Sequence, residues 1–215
     1  MKIRMLRAKL GRMHFVVFGG RGRVGSAFVS QALGAGHRVT ALVRDPSGMP
    51  AHASLELVRG DVLDANAVQG AMRDQAVVVS VLGGEDALVR GNQAVVAAAS
   101  ARGLKRMLAV SGAGVLQADD THLRSELPDY PARFRAIGAA HHGLWDALKT
   151  SGLEWTLVCT PNIANGDASA PTTAAANVLP PGSFRVTTGA VAAFLLRESS
   201  EGRFVKSRVG INGTN

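Results

Sequence analysis

The chain has 215 residues, of which 47% are hydrophobic, and it carries a formal net charge of +8. This length suits one domain with a single sizeable core, and the hydrophobic share is ordinary for a globular protein. No apolar run reaches the roughly 18 residues of a membrane span, so we expect no transmembrane helix and no membrane partner. A basic balance favours polyanions, but five of the cations fall within the first twelve residues, so we expect no specific nucleic-acid binding by the rest of the chain.

Residues 1–12 are predicted to be a basic, disordered extension in front of one domain that covers residues 13–215. They lack the apolar stretch of about 7 to 15 residues found in secretory signals, so we expect a cytoplasmic protein. The single cysteine, Cys159, lies in an apolar run and is predicted to be a buried core residue. The spacing of histidine, cysteine and carboxylate residues does not suggest a metal site.

Short apolar runs alternate with segments of helical periodicity along the chain. Residues 14–18 form a continuous apolar run closed by glycines, which is typical of a strand buried on both faces of a parallel sheet. Alternating strands and helices predict an α/β fold, a doubly wound parallel sheet in three α/β/α layers and a single domain. Further strands are predicted at 38–43, 55–59, 77–82, 107–110, 155–159 and 204–209, and helices at 24–33, 65–73, 88–101, 137–149 and 189–197. Residues 165–182 follow neither period and are predicted to be a mobile loop.

A glycine-rich turn joins the first strand to the first helix and gives the strongest functional indication. It reads Gly19-Gly20-Arg21-Gly22-Arg23-Val24-Gly25 and satisfies the spacing GxGxxG. The free NH groups and partial positive charge of a helix N-terminus would face a pyrophosphate there, as in Rossmann-like dinucleotide-binding folds. We therefore predict a nicotinamide dinucleotide cofactor.

The residue at the end of the second strand favours NADP(H) over NAD(H). An acidic side chain there would bind the ribose 2′-hydroxyl, whereas this chain has Arg44, whose guanidinium suits a 2′-phosphate. Arg21 and Arg23 could add positive charge on the same side of the cofactor. Asp45, one position further on, is expected to face the other way.

These segments together resemble the atypical short-chain dehydrogenases, and in particular the NmrA-like branch that contains biliverdin reductase B, or flavin reductase. The resemblance rests on the glycine turn, on Val43-Arg44-Asp45 and on Gly60-Asp61-Val62, and it continues thinly after residue 164. It implies that Asp61 and Val62 contact the adenine, and that Leu82, Gly83 and Gly84 line the cofactor ribose. It also implies that the segment Pro161, Asn162 and Ile163 passes beside the nicotinamide, where Ser111 lies as well.

The chain departs from the wider family in its catalytic residues. The Tyr-x-x-x-Lys pair is absent, because the only tyrosine, Tyr130, is followed four positions later by Phe134. Two hydroxyl residues often follow strand five in the branch, but here the pair reads Ser111-Gly112. Ser111 is a candidate to hydrogen-bond the cofactor or relay a proton, and His141 is a candidate proton source because an ordinary histidine titrates near neutral pH.

The sequence therefore predicts an NADPH-dependent reductase that passes hydride to a planar conjugated small molecule such as a flavin, a tetrapyrrole or a quinone. The main alternative is a non-catalytic NADP(H) sensor of the NmrA-like kind, which would bind a protein partner. A sugar epimerase or dehydratase is a weaker alternative, because it would need the missing Tyr-Lys pair. A monomer and a homodimer both stay open.

Overall fold

A computed structural model describes residues 11–214 of the chain. The predicted extension over residues 1–12 falls outside this range except for Gly11 and Arg12, which precede the first strand in no regular structure. Arg12 donates a hydrogen bond to Ser54 Oγ at 2.9 Å.

Strands and helices alternate through most of the described chain. The strands are β1 (His14–Phe18), β2 (Arg38–Val43), β3 (Leu55–Arg59), β4 (Val77–Ser80), β5 (Arg106–Gly112), β6 (Glu154–Thr160), β7 (Asn162–Ala164), β8 (Thr172–Ala176), β9 (Arg185–Thr187) and β10 (Ser207–Gly213). The α-helices are α1 (Arg23–Gly34), α2 (Ala65–Ala71), α3 (Asn92–Ala101), α4 (Arg135–Thr150) and α5 (Thr188–Glu201). A π-helical turn, Ala87–Gly91, leads directly into α3.

Eight strands form one sheet in the order β3-β2-β1-β4-β5-β6-β10-β8, and β7 pairs separately with β9. Every pairing in the large sheet is parallel except that of β10 with β8. The chain proceeds from β1 outwards to β3, then returns to place β4 on the other side of β1. This reversal confirms the predicted doubly wound α/β fold, and it opens a crevice between β1 and β4.

The sheet separates two hydrophobic cores, as the continuous apolar strands predict. In β1, Val16 and Phe18 pack with α2, α3 and α4, while Phe15 and Val17 pack with α1 and α5 on the opposite face. All four side chains are fully buried. Cys159 is also buried, in the first of these two cores.

Two sequence predictions about the last third of the chain are wrong. Residues 165–182 were expected to lack regular structure, but Thr172–Ala176 form the edge strand β8 and pair antiparallel with β10. The alanines and threonines of β8 are too small and too uniform to give a hydrophobic period. The last strand begins at Ser207, three residues later than predicted, because Lys206 adopts a left-handed backbone conformation with φ of 55°.

A buried ion pair ties β5 and β6 to α5. Arg106 Nη2 donates to Glu198 Oε1 at 2.9 Å and to Thr156 Oγ1 at 2.8 Å. The same Glu198 carboxylate accepts the backbone NH groups of Arg203 and Phe204. The Glu198 side chain is 2% exposed, and its charge is compensated by these donors and by the Thr156 hydroxyl at 3.2 Å.

We predict that Glu198→Ala lowers the free energy of unfolding by about 3–5 kcal/mol, because it leaves the Arg106 guanidinium buried without its counter-charge. Urea denaturation measures the change. The control is Asp74→Asn, which removes the exposed ion pair with Arg102 at 2.7 Å and should cost less than about 1 kcal/mol. Equal effects of the two substitutions would contradict the prediction.

Candidate functional site

A cavity of about 790 Å³ lies at the crevice between β1 and β4, within the size range of roughly 300–1,000 Å³ typical of ligand sites. Its walls are the segments that follow the carboxyl ends of β1, β2, β3 and β4. The lining residues are Phe18, Gly19, Gly20, Arg21, Gly22, Leu42, Val43, Arg44, Asp45, Gly60, Asp61, Val62, Leu63, Val81, Leu82, Gly83, Gly84, Glu85, Asp86 and Ala87.

The glycine turn at one side of the cavity is possible only without side chains at its two ends. A Cβ atom at Gly25 would lie 2.1 Å from the backbone oxygen of Gly19, and one at Gly19 would lie 2.6 Å from the oxygen of Val81. Gly19 also has a positive φ of 87°. These close approaches let α1 begin directly at the cavity, immediately after Gly22.

The N-terminus of α1 offers NH groups to a ligand. Among residues 11–214 no side chain caps this end, and the first turn contains no acidic residue. The NH groups of a first helical turn have no partner within the helix and favour an anion electrostatically. The arrangement suits the pyrophosphate of a dinucleotide.

The arginines of the site differ in their partners. Arg44 is exposed at the cavity wall and makes no hydrogen bond or ion pair with any described residue. Arg21 Nη1 instead bonds Asp45 Oδ2 at 2.9 Å. Arg23 Nη1 donates to the backbone oxygen of Ile163 at 3.1 Å, outside the cavity wall. Of the three, Arg44 therefore has the guanidinium most accessible to a phosphate.

Asp45 corrects a sequence prediction. It was expected to face away from Arg44, but it lines the same cavity and accepts the Arg21 guanidinium. Side chains point alternately to the two faces of a sheet only within a strand. Because β2 ends at Val43, this alternation does not apply to Asp45.

The residues predicted to lie on the adenosine side of the cofactor follow the ends of β3 and β4. Asp61 and Val62 line the cavity, and Asp61 Oδ1 accepts the backbone NH of Leu63 at 3.0 Å. Leu82, Gly83 and Gly84 line it after β4. The lining residues Glu85, Asp86 and Ala87 were not predicted, although their position directly after these glycines indicates the same edge of the sheet.

The remaining predicted cofactor residues lie outside the cavity wall. Val24 and Gly25 face inward from α1 and are buried. Pro161, Asn162 and Ile163 follow β6, and the hydrogen bond from Arg23 to Ile163 fastens this segment to the glycine turn. The segment is therefore next to the cavity without lining it.

Ser111 and His141 lie on the same side of the sheet, near the end of β5. Ser111 is 2% exposed, and its Oγ has no hydrogen-bond partner among the described residues. It neighbours Cys159 in the register of β5 and β6. Neither Ser111 nor His141 lines the cavity.

His141 packs its ring against Gly112. A Cβ atom at Gly112 would lie 3.0 Å from both Cδ2 and Nε2 of this imidazole. Burial, together with the neighbouring His142, lowers the pKa of His141 to about 4. The imidazole is therefore neutral at neutral pH, which differs from the expectation that it supplies a proton there. His142 is not free in solvent, since its Nε2 lies 2.8 Å from Ser125 Oγ.

Tyr130 reaches the same region from the segment between β5 and α4. A Cβ atom at Gly114 would lie 2.7 Å from the Tyr130 hydroxyl oxygen, and one at Gly138 would lie 3.6 Å from it. Burial raises the pKa of this phenol, so it stays protonated at neutral pH.

Comparison with known proteins agrees with this geometry. A family model described as NAD(P)H-binding matches residues 19–201, so the chain belongs to this NAD(P)H-binding family. Within the described residues no helix is both long and apolar enough to cross a membrane.

Curated relatives match less than half of the chain. A 3β-hydroxysteroid dehydrogenase/Δ5→4-isomerase of Mycobacterium tuberculosis is 36% identical over 85 residues, which are 37% of this chain and 22% of that protein. A 3β-hydroxysteroid dehydrogenase of Mycolicibacterium neoaurum is 39% identical over a match of the same length, 23% of its own chain. The matched part thus spans about a fifth of these relatives.

Solved structures share the fold over nearly the whole chain. A candidate NADH-flavin reductase of Streptococcus pneumoniae has a TM-score of 0.80 at 24% identity, covering 93% of this chain and 98% of its own. ChuY, an anaerobilin reductase of Escherichia coli O157:H7, has a TM-score of 0.76 at 21% identity, covering 92% and 97%. A candidate exported protein of Burkholderia pseudomallei has a TM-score of 0.81 at 25% identity, covering 94% and 100%.

We predict that Gly25→Ala lowers the free energy of unfolding by about 1–3 kcal/mol, because the new methyl group collides with the Gly19 backbone. It should also weaken NADPH binding by about tenfold or more, since the NH groups of the turn shift. Urea denaturation and calorimetric titration measure the two effects. Gly70→Ala in α2 is the control, since a Cβ there meets nothing within 4 Å; retained cofactor affinity in Gly25→Ala would refute the prediction.

We also predict that the protein loses stability as the pH falls from 6.5 to about 4. In this interval the unfolded chain protonates His141 while the folded chain keeps it neutral, so protons favour unfolding. His37 and His14 add to the effect, because burial also lowers their pKa values. His141→Asn should reduce the slope of unfolding free energy against pH, whereas His52→Asn, at an exposed position, should not. An unchanged slope in His141→Asn would contradict this account.

Proposed function

We propose that the protein is an NADPH-dependent reductase of the flavin and biliverdin reductase type, which acts on a planar conjugated acceptor. The observation that carries the cofactor part is the cavity at the crevice, where the uncapped N-terminus of α1 and the unpaired Arg44 face the same space. The two features suit, respectively, the pyrophosphate and the 2′-phosphate of NADP(H).

Each wall of the cavity has a role in this proposal. Asp61 keeps one carboxylate oxygen beyond its bond to Leu63, and that oxygen can accept the adenine amino group. The side chains of Val62 and Leu82 pack against Gly91, where a Cβ atom would lie 2.9 Å from Val62. These apolar groups would flank the adenosine, and Gly83 leaves room for the ribose.

The acceptor would bind beyond the glycine turn, between the end of β5 and the segment after β6. The nicotinamide of the bound cofactor would supply the hydride, so the protein mainly has to orient the acceptor and exclude water. The neutral imidazole of His141 and the protonated Tyr130 phenol lie at this end and offer neutral hydrogen-bonding groups. Ser111, whose hydroxyl has no other partner, could bond the nicotinamide amide once the site is filled.

The assignment of a reductase also draws support from related folds. The candidate flavin reductase and the anaerobilin reductase described above have this fold, and both names refer to planar conjugated acceptors. A cytoplasmic location agrees with a supply of NADPH and is part of the proposal, together with either a monomeric or a homodimeric state.

A non-catalytic NADP(H) sensor is the second candidate, because one observation favours it. The hydroxyl of Ser111 is buried, and neither Ser111 nor His141 lines the cavity. A protein that only binds NADP(H) and signals its presence to a protein partner would need no space for an acceptor.

Oxidation of NADPH by the purified protein, followed by the loss of nicotinamide absorbance, distinguishes the two functions. We expect turnover with at least one of FMN, riboflavin, biliverdin and a small quinone, and none without an acceptor. Tight NADPH binding without oxidation above background by any of these acceptors would favour the sensor instead.

We predict that Arg44→Ala weakens NADPH binding by about tenfold or more, because a charge-assisted bond to phosphate is lost. NADH binding should stay nearly unchanged. Arg38→Ala is a matched control, because Arg38 is exposed at the opposite end of the same strand. Equal losses for the two cofactors, measured by fluorescence titration, would refute the proposed preference for NADP(H).

A further inference from the structure

The ion pair between Arg21 and Asp45 stands at the wall of the cofactor cavity, beside Arg44. Arg21 Nη1 lies 2.9 Å from Asp45 Oδ2 and also donates to the backbone oxygen of Asp45 at 2.9 Å. Both side chains are about half exposed, at 46% and 57%. Arg21 is therefore docked onto the segment after β2 instead of pointing into open solvent.

The carboxylate of Asp45 is fixed by a second set of donors. Ser47 donates its backbone NH to Oδ1 at 3.0 Å and its hydroxyl to Oδ2. These bonds from Ser47, together with Arg21, lower the pKa of Asp45 to about 2. Asp45 is consequently an anion at neutral pH, and it lines the cavity beside Arg44.

We propose that Asp45 is a specificity-determining residue. By holding Arg21 in an ion pair, Asp45 keeps this guanidinium away from the 2′-phosphate and so reduces the ratio of NADP(H) affinity to NAD(H) affinity. The inference rests on the proposed function, because it assumes that the 2′-phosphate lies beside Arg44. In this arrangement Arg44 meets the phosphate directly, whereas Arg21 must first leave Asp45.

The exchange of partners is energetically accessible. An exposed ion pair contributes little to stability, so Arg21 can be released at small cost. A phosphate carries more charge than a carboxylate and can accept two parallel NH bonds from a guanidinium. Asp45 therefore lowers the affinity for NADP(H) without closing the site, and it has no such effect on NAD(H), which lacks the phosphate.

The test compares dissociation constants of NADPH and NADH, measured by nicotinamide fluorescence, for the wild-type protein and Asp45→Asn. The substitution keeps the shape of the side chain and removes its charge. We expect NADPH to bind about three- to fivefold more tightly, which corresponds to one exposed ion pair, and NADH to bind with unchanged affinity. Unchanged or weaker NADPH binding would overturn the proposal.

A matched control separates local competition from the general effect of removing an acid. Asp86 lines the same cavity on the side of β4, so Asp86→Asn removes the same charge without touching Arg21. It should leave the ratio of the two dissociation constants unchanged. An equal shift of the ratio in Asp86→Asn would overturn the role assigned to Asp45.

A double substitution tests whether Asp45 acts through Arg21. In the Arg21→Met background, Asp45→Asn should give little or no gain in NADPH affinity, because the withheld guanidinium is gone. A full three- to fivefold gain there would mean direct repulsion of the phosphate and would overturn the exchange mechanism.

The result for Arg44→Ala keeps the two proposals apart. If that variant loses no discrimination between the cofactors, the proposed NADP(H) preference through Arg44 fails. A shift of the ratio by Asp45→Asn in the same experiment would still support the role of Asp45, since it is measured against the wild type and not against Arg44→Ala.

Discussion

The close approach of the chain to itself between Gly19 and Gly25 is the constraint on which the site depends. With a Cβ-to-oxygen separation of 2.1 Å for any side chain at Gly25, only glycine allows α1 to start where it does. The helix then points its uncapped end at the crevice between β1 and β4. The shape of the site thus depends mainly on the backbone conformation, and side chains such as Arg44 only modify it.

The two halves of the site are built differently. One part is an open cavity whose wall residues follow four strand ends. The half near β5 is packed, with Ser111 buried and the ring of His141 against Gly112. The geometry of the cavity suits a dinucleotide, whereas the groups at the end of β5 are packed among other residues.

The sequence contains enough local information to predict the sheet and the cofactor half. Strands such as β1 are apolar on both faces because both faces are buried, and the residues after their carboxyl ends meet at one edge of the sheet. Arg44 and Asp61 could be placed in this way. By contrast, β8 gives no pattern because its alanines and threonines are nearly alike in size and polarity.

Features that depend on contacts across the fold could not be predicted. Asp45 meets Arg21 because the chain turns after Val43, and no periodicity describes a turn. The low pKa of His141 arises from burial by another part of the chain, which its position on a helix does not reveal. The site was predictable where it follows the strands and unpredictable where side chains from separate segments meet.

The contact between Gly112 and His141 has a consequence for how such chains can vary. The imidazole occupies the space into which a side chain at position 112 would extend. A serine or threonine at this position, which would restore a second hydroxyl after Ser111, requires the imidazole to shift by about a few tenths of an ångström. The position of the imidazole and the number of hydroxyl groups after β5 are thus coupled in this fold.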